Sequence, residues 1–291
     1  MTMLTRAALT SFLAAHRPSI LAELTAVRGS SPREQGAFML IAADALLGTI
    51  GGGALEYMVI ARARQVLRDG VPEAALDIPL GPEIGQCCGG RVDIAMRRVD
   101  ATRAEALLAR LDAETAARPH VYLFGAGHVG HALAAALAPL PLNVHVVDTR
   151  ASELVGLPDN VEAVASPMPE AVVRSAPKGS AYAILTHDHA LDFLIAFEAL
   201  KRADSPYVGM VGSRTKRARF RAWYLGEGGD PAALDRLVLP IGGGAYPQGL
   251  GDKRPAVIAA LAAAEILVQI GRGEAAVRVT EKVGSGAADG R

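Results

Sequence analysis

Cysteine is nearly absent: Cys87 and Cys88 are the only two in 291 residues. Adjacent cysteines can close only a strained local ring, so no disulfide framework staples distant parts of this chain. Aromatic residues are scarce at 4%, yet hydrophobic residues reach 51% and glycines number 31, which describes an ordinary globular protein rather than a disordered or fibrous one. There is no excess of charge of either sign, with 30 basic and 30 acidic side chains, so no global field draws the chain toward nucleic acid or acidic lipid. The opening Met1-Thr2-Met3-Leu4-Thr5-Arg6 leads into no apolar leader with a cleavage signature, and no stretch is expected to approach bilayer-spanning length. These absences predict a cytoplasmic protein with neither nucleic acid nor membrane as partner.

The length fits two domains. In the first part, residues 6–16 read as a helix, 20–27 and 37–41 as strands, and 54–68 as a helix with Leu55, Val59, Ala63 and Val66 at helical spacing. Gly51-Gly52-Gly53 before that helix is an anion-accepting arrangement. Alternating segments at 75–80 and 91–99 flank the loop Gly81-Pro82-Glu83-Ile84-Gly85-Gln86-Cys87-Cys88-Gly89-Gly90. This is a smaller α+β domain. A helix over 101–118 leads to Pro119, and the boundary is placed near there, dividing the chain into residues 1–112 and 113–291. From His120 the pattern alternates: strands at 121–124, 143–148, 161–165, 181–186, 207–211 and 237–241, with helices at 128–137, 191–202, 216–225 and 257–270. That order predicts an α/β fold whose C-terminal part is a Rossmann-like, doubly wound parallel sheet. The tail from Gly271 is expected to be disordered at its end.

The first strand of the second domain runs into Gly125-Ala126-Gly127-His128-Val129-Gly130. In such a loop the first glycine, Gly125, permits the tight turn, Gly127 lets a phosphate approach the backbone, and Gly130 lets helix and strand pack closely, while His128 opens the helix. Asp148 closes the next strand, where an acid can hydrogen-bond ribose hydroxyls. Without a ligand the same residues make a compact turn and a cap. The switch point of the sheet would bring Thr186-His187-Asp188-His189 to face this loop. His187 and His189 are then candidate ligands or proton shuttles with Asp188 as orienter, or the cluster simply caps the next helix. Ser213, Arg214 and Lys216, after the following strand, offer hydroxyl and cationic donors suited to phosphate, or form a solvated basic helix start. Cys87 and Cys88 sit among glycines rather than in a core-like run, so their thiolates suit a soft metal or sulfur transfer.

Together these residues resemble the XdhC family, accessory proteins that mature xanthine dehydrogenase and related molybdenum hydroxylases. The resemblance rests on Gly48-Thr49-Ile50-Gly51-Gly52-Gly53 with Glu56, on Gln86-Cys87-Cys88-Gly89-Gly90, and on Phe124-Gly125-Ala126-Gly127-His128-Val129-Gly130. It continues through Thr186-His187-Asp188-His189 with Asp192, Tyr207 to Arg217, Pro240-Ile241-Gly242, Pro255 and Ala264-Glu265-Ile266-Leu267. It implies binding of molybdenum cofactor (molybdopterin), protection of it during terminal sulfuration by a cysteine desulfurase, and insertion into the hydroxylase by a homodimer that is a maturation chaperone and not an enzyme. Under it, the phosphate end goes to Gly125, Gly127, His128 and Gly130 with Ser213, Arg214 and Lys216, and Cys87 or Cys88 meets the metal. The segment after Pro240, Ile241 to Gly251, departs from the shorter glycine turn of many relatives, which bears on the crevice rim or partner specificity.

Two other readings compete. An NAD(P)-dependent oxidoreductase would use the glycine loop and Asp148, with His187 or His189 as acid and base, but leaves the paired cysteines unexplained. A copper or zinc trafficking site at Cys87 and Cys88 lacks further ligands nearby in the sequence.

Overall fold

The structure is a computed structural model that describes residues 4–82, 89–243 and 252–285, with side chains as far as residue 272. The chain separates into two compact units, Met1–Ala116 and Ala117–Arg291.

The first unit is built on an antiparallel sheet of β1 (Ile20–Arg28), β2 (Phe38–Ile41), β3 (Leu46–Gly48), β4 (Glu73–Pro79) and β5 (Arg91–Arg98), in the order β3-β2-β1-β5-β4. The period of two along β1 sends Ile20, Ala22 and Leu24 to one face and Leu21 to the other. Helix α2 (Gly53–Asp69) covers the first face with Leu55, Val59, Ala63 and Val66, its apolar stripe as the spacing predicts. Helices α1 (Arg6–Ala15) and α3 (Ala101–Ala116) cover the second with Leu9, Phe12, Leu13, Leu107 and Leu111. Each aliphatic side chain so buried contributes roughly 1.5–3 kcal/mol, so both faces are needed to hold a sheet this small. Helix α3 runs without interruption through residue 112 and ends at Ala116.

The second unit is a parallel sheet of β6 (His120–Phe124), β7 (Asn143–Asp148), β8 (Glu162–Ala165), β9 (Ala181–Ile184), β10 (Val208–Met210) and β11 (Leu237–Val238), ordered β11-β10-β9-β6-β7-β8. The order reverses between β6 and β9, which makes their carboxyl ends the switch point of a Rossmann-type domain. Helices α4 (His128–Leu137) and α8 (Pro255–Ser285) lie on one face, and α5 (Pro169–Ser175), α6 (His189–Lys201) and α7 (Arg214–Gly226) on the other.

Two expectations are corrected by α8. The helix does not stop at 270 but continues through Gly271 to Ser285. Its first part, Pro255–Arg272, is also long and apolar enough to cross a membrane, contrary to the expectation that no stretch approaches that length. Ala259, Ala262, Ala263, Ile266 and Ile270 are buried in the core beside α4, whereas Leu267 and Val268 of the same stretch are exposed.

Candidate functional site

The site is built where β6, β9 and β10 end. Gly125 leaves β6 with φ +111°, a conformation that favours glycine, and an added Cβ would lie 2.6 Å from the Leu185 carbonyl oxygen. At Gly130 an added Cβ would lie 2.0 Å from the Gly125 carbonyl oxygen, so helix and strand can approach this closely only without a side chain. At Gly127 an added Cβ would meet nothing within 4 Å. That is the position where a ligand's phosphate would approach the backbone, and the space is open. Gly127 is also the N-cap of α4 and supplies no side-chain hydrogen bond. His128 is exposed beside it.

Asp148 serves the loop itself. It is 6% exposed, and its Oδ2 accepts the Ala126 N–H at 2.9 Å while Oδ1 accepts the Arg150 N–H at 2.9 Å and Arg150 Nε–H at 3.2 Å. Burial raises its pKa, but these bonds and the Arg150 charge outweigh it and hold the carboxyl below its ordinary value. The acid expected to meet a ribose is thus turned into the glycine loop as a brace.

The Thr186-His187-Asp188-His189 cluster resolves toward capping. Asp188 is the N-cap of α6, and its Oδ1 accepts the Ala190 N–H at 2.8 Å, so its carboxylate does not orient an imidazole. His187 and His189 are exposed. Ser213 caps α7 by accepting the Lys216 N–H at 3.3 Å, and Arg214 is exposed.

Lys216 requires a correction. Its ammonium does not reach the crevice rim as a phosphate donor: the residue is 9% exposed, pairs with Asp192 Oδ2, and donates to the Val211 carbonyl at 2.8 Å. Asp192 is fully buried, and its Oδ1 accepts both the Thr186 N–H at 3.1 Å and the Thr186 hydroxyl at 2.7 Å. The pair therefore ties the loops after β9 and β10 together under the crevice. A second buried acid, Glu265 on α8, accepts the Tyr207 hydroxyl at 2.8 Å and the Gly242 N–H at 2.7 Å, which fixes the turn after β11. Burial and the neighbouring Glu265 charge push the Tyr207 pKa up. Asp192 and Glu265 were visible in the sequence only as motif members. Acids at 0% and 5% exposure in apolar helices are the signal that marks them.

In the first unit the triple-glycine loop is not open to an outside anion, contrary to the anion-accepting arrangement its composition predicts. Glu56 Oε1, from the first turns of α2, accepts the Ile50 N–H at 3.0 Å, the Gly52 N–H at 2.9 Å and the Thr49 hydroxyl. Burial raises the Glu56 pKa, but the bonds from Thr49, Gly52, Ile50 and Gly51 outweigh it and the net shift is downward. Cys87 and Cys88 lie outside the described residues, as do residues 244–251. The ends of the cysteine loop are described: Leu80 N–H donates to Gly90 O at 2.8 Å and Gly89 N–H to Leu80 O at 2.9 Å, closing the β4–β5 hairpin at its base. Among the described residues no group of three or more His, Cys, Asp or Glu is placed to hold a metal ion.

Comparison with known proteins agrees with this architecture. The XdhC Rossmann domain matches residues 121–266, and the XdhC and CoxI family matches residues 12–78. YqeB of Escherichia coli (strain K12), an uncharacterized protein, is 27% identical over 261 residues, covering 86% of this chain and 43% of its own length. The chain thus spans less than half of that relative. A crystal structure described as a xanthine dehydrogenase from Bacillus halodurans superposes with a TM-score of 0.74 at 18% identity, covering 93% of this chain and 96% of that one. It supports the fold. By the family match over both units, the chain belongs to the XdhC family.

Proposed function

We propose that this protein is a maturation factor for a xanthine dehydrogenase or related molybdenum hydroxylase, one that binds molybdenum cofactor, holds it during sulfuration by a cysteine desulfurase, and works as a homodimer without catalysing a reaction itself. Family membership points to the maturation role. The observation that carries the binding role is the contrast among helix starts: α2, α6 and α7 are supplied with Glu56, Asp188 and Ser213, and the seven-residue α5, also without a side-chain cap, opens on Pro169, which has no amide N–H to offer, whereas α4 begins at Gly127 with no side-chain cap and open space above it. An uncapped helix start with a bare glycine is a place where backbone amides receive a phosphate.

The residues divide the work by their chemistry. Gly127 and the first amides of α4 would take the cofactor's phosphate, with Ser213, Arg214, His128 and His187 lining the same end of the sheet. Asp148 and the Asp192–Lys216 pair hold those loops in place. When bound, the cofactor supplies a molybdenum centre, for which the thiolates of Cys87 and Cys88 are soft ligands. The commitment of Asp148 to Ala126 and Arg150 weighs against a nicotinamide dinucleotide, whose ribose would need that carboxylate.

The test is retention of added molybdenum cofactor through size exclusion. Wild type should retain it, Cys87→Ala or Cys88→Ala should weaken retention, and Gly127→Leu should abolish it while leaving the far-ultraviolet circular dichroism unchanged. Equal retention by all variants, or tight binding of NAD(P) in its place, would overturn the reading.

A further inference from the structure

A cavity of about 680 Å³ opens in the first unit, away from the glycine loop of α2, between the end of α1, the turn after β2 and the last turns of α2. Its lining includes His16, Arg17, Arg64 and Arg68, and a single acid, Asp44. Some arginines of this unit are matched to carboxylates, Arg6 with Asp112, Arg28 with Asp93, Arg91 with Asp77 and Arg110 with Glu23, and others such as Arg33 and Arg97 are not, among the described residues; what sets Arg17, Arg64 and Arg68 apart is that they line one concavity. Arg17, Arg64 and Arg68 have no carboxylate within 4 Å among the described residues.

Their anchoring has a common form. Arg17 donates through Nε to the Leu13 carbonyl at 2.9 Å, and Arg64 through Nε to the Ala42 carbonyl at 3.4 Å. In both, the bond at Nε holds the stem and leaves the two terminal nitrogens, the fork that grips an oxyanion, without a protein partner among the described residues. Arg64 and Arg68 stand one turn apart on α2, where like charges repel by a few tenths of a kcal/mol unless an anion lies between them. The helix carboxyl ends at Ala15 and Asp69 offset part of this charge, and Asp44, which reaches His16 Nδ1 at 3.4 Å, offsets more. Three guanidinium groups against one carboxylate still leave the concavity positive, and a concave wall focuses that field.

We propose that this cavity is a second anion site, which binds the phosphate of a small organic phosphoester. Guanidinium forks match phosphate geometry, the volume lies within the roughly 300–1,000 Å³ usual for small-molecule pockets, and Ala42 and Leu67 give the rest of such a ligand an apolar wall. The site does not depend on the cofactor reading, since every residue in it belongs to the first unit and none to the Gly125 loop.

The experiment is calorimetric titration of the full-length protein with pyrophosphate and, separately, with succinate. Pyrophosphate should bind saturably in Gly127→Leu, whose glycine loop is blocked, and on that background Arg64→Met and Arg17→Met should each weaken it roughly tenfold, the loss of one charge-assisted bidentate contact. Circular dichroism and the thermal midpoint of each variant establish that it is folded, and Arg68→Met provides a third arm whose side chain makes no backbone anchor. Succinate binding as tightly as pyrophosphate, loss of binding in Gly127→Leu, or undiminished binding in all three arginine variants would each overturn the proposal.

Discussion

At Gly51-Gly52-Gly53 the amides ahead of α2 meet a carboxylate from the helix itself, whereas ahead of α4 only Ala126 is met by an acid, Asp148, and the helix start at Gly127 meets no side chain. Both loops are glycine-rich and both precede helices, so composition alone ranks them as equal anion sites. What separates them is one residue: Glu56 lies close enough beyond its glycines to fold back, and α4 has no acid in its first turn. A glycine-rich helix start is a ligand site only when the protein does not fill it first.

The comparison can be broken from the frame inward. The largest effect is expected at Lys216→Met, which leaves the Asp192 carboxylate buried without its counter-ion and should destabilise the second unit by about 3–5 kcal/mol. Adding Asp192→Leu should recover part of that loss in urea melts, since the buried charge goes with its partner while the Thr186 N–H and hydroxyl lose their acceptor; no recovery would mean that Lys216 acts by packing.

Next come the glycines of the open loop. Gly130→Ala forces a methyl onto the Gly125 carbonyl and should destabilise by about 2–4 kcal/mol, whereas Gly127→Ala should stay within about 0.5 kcal/mol because its Cβ meets nothing. Equal losses at the two positions would mean that Gly127 is structural and the open space has no part in binding.

The filled loop can be converted into an open one. Glu56→Ala strands the Ile50 and Gly52 amides and the Thr49 hydroxyl and should destabilise by about 1–3 kcal/mol. Sulfate should then raise the thermal midpoint of the variant more than that of wild type, because an outside anion replaces the lost carboxylate. Identical sulfate responses would show that the emptied loop takes no anion.

The smallest effect is the order in which the units feel acid. His145 on β7 is 9% exposed, stacks on Tyr122 at 4.3 Å, and bonds to Glu162 at 2.8 Å and to the His120 ring at 2.9 Å. Burial, helped by the His120 charge and opposed by Glu162, lowers its pKa below 6.5. The unfolded chain then binds the proton more readily, so this contribution is intact above pH 6.5 and is lost as pH falls through the lowered value. Glu56 is also lowered, from 4.5, so its contribution is intact above pH 4.5 and lost only below it. The chain has one tryptophan, Trp223, packed on Phe193, Phe197 and Phe220 in the second unit. Its fluorescence should therefore report a weakening between pH 6.5 and 4.5 that His145→Gln removes, and an unchanged profile in that variant would assign the effect elsewhere.

Much of the fold was legible because it rests on local repetition. The apolar stripe of α2, the alternation in β5, and the strand, glycine turn and helix from His120 to Leu137 are readable within a few residues of themselves. Helix α5, at 7 residues, is too short to carry a period, β11 stops at Val238 inside the longer strand expected over 237–241, and α8 runs past Gly271 where glycine suggests an end. The site was less legible for a different reason. That Gly125, Gly127 and Gly130 form a binding turn follows from their spacing, but which acid meets which amide depends on approach in space: Lys216 finds Asp192 from 24 residues away, and Glu265 finds Tyr207 from 58. A lysine after a strand looks like a phosphate donor until the carboxylate beneath it is located.

The hairpin that carries Cys87 and Cys88 closes at its base through the Leu80–Gly90 and Gly89–Leu80 bonds, so the chain re-enters the sheet almost where it left. Doubling the length of such an excursion costs only about 0.6 kcal/mol. Because Leu80, Gly89 and Gly90 tie the hairpin off at its base, a longer connection between them should cost the unit little stability, which makes this turn a place where sequence can be exchanged in evolution or at the bench.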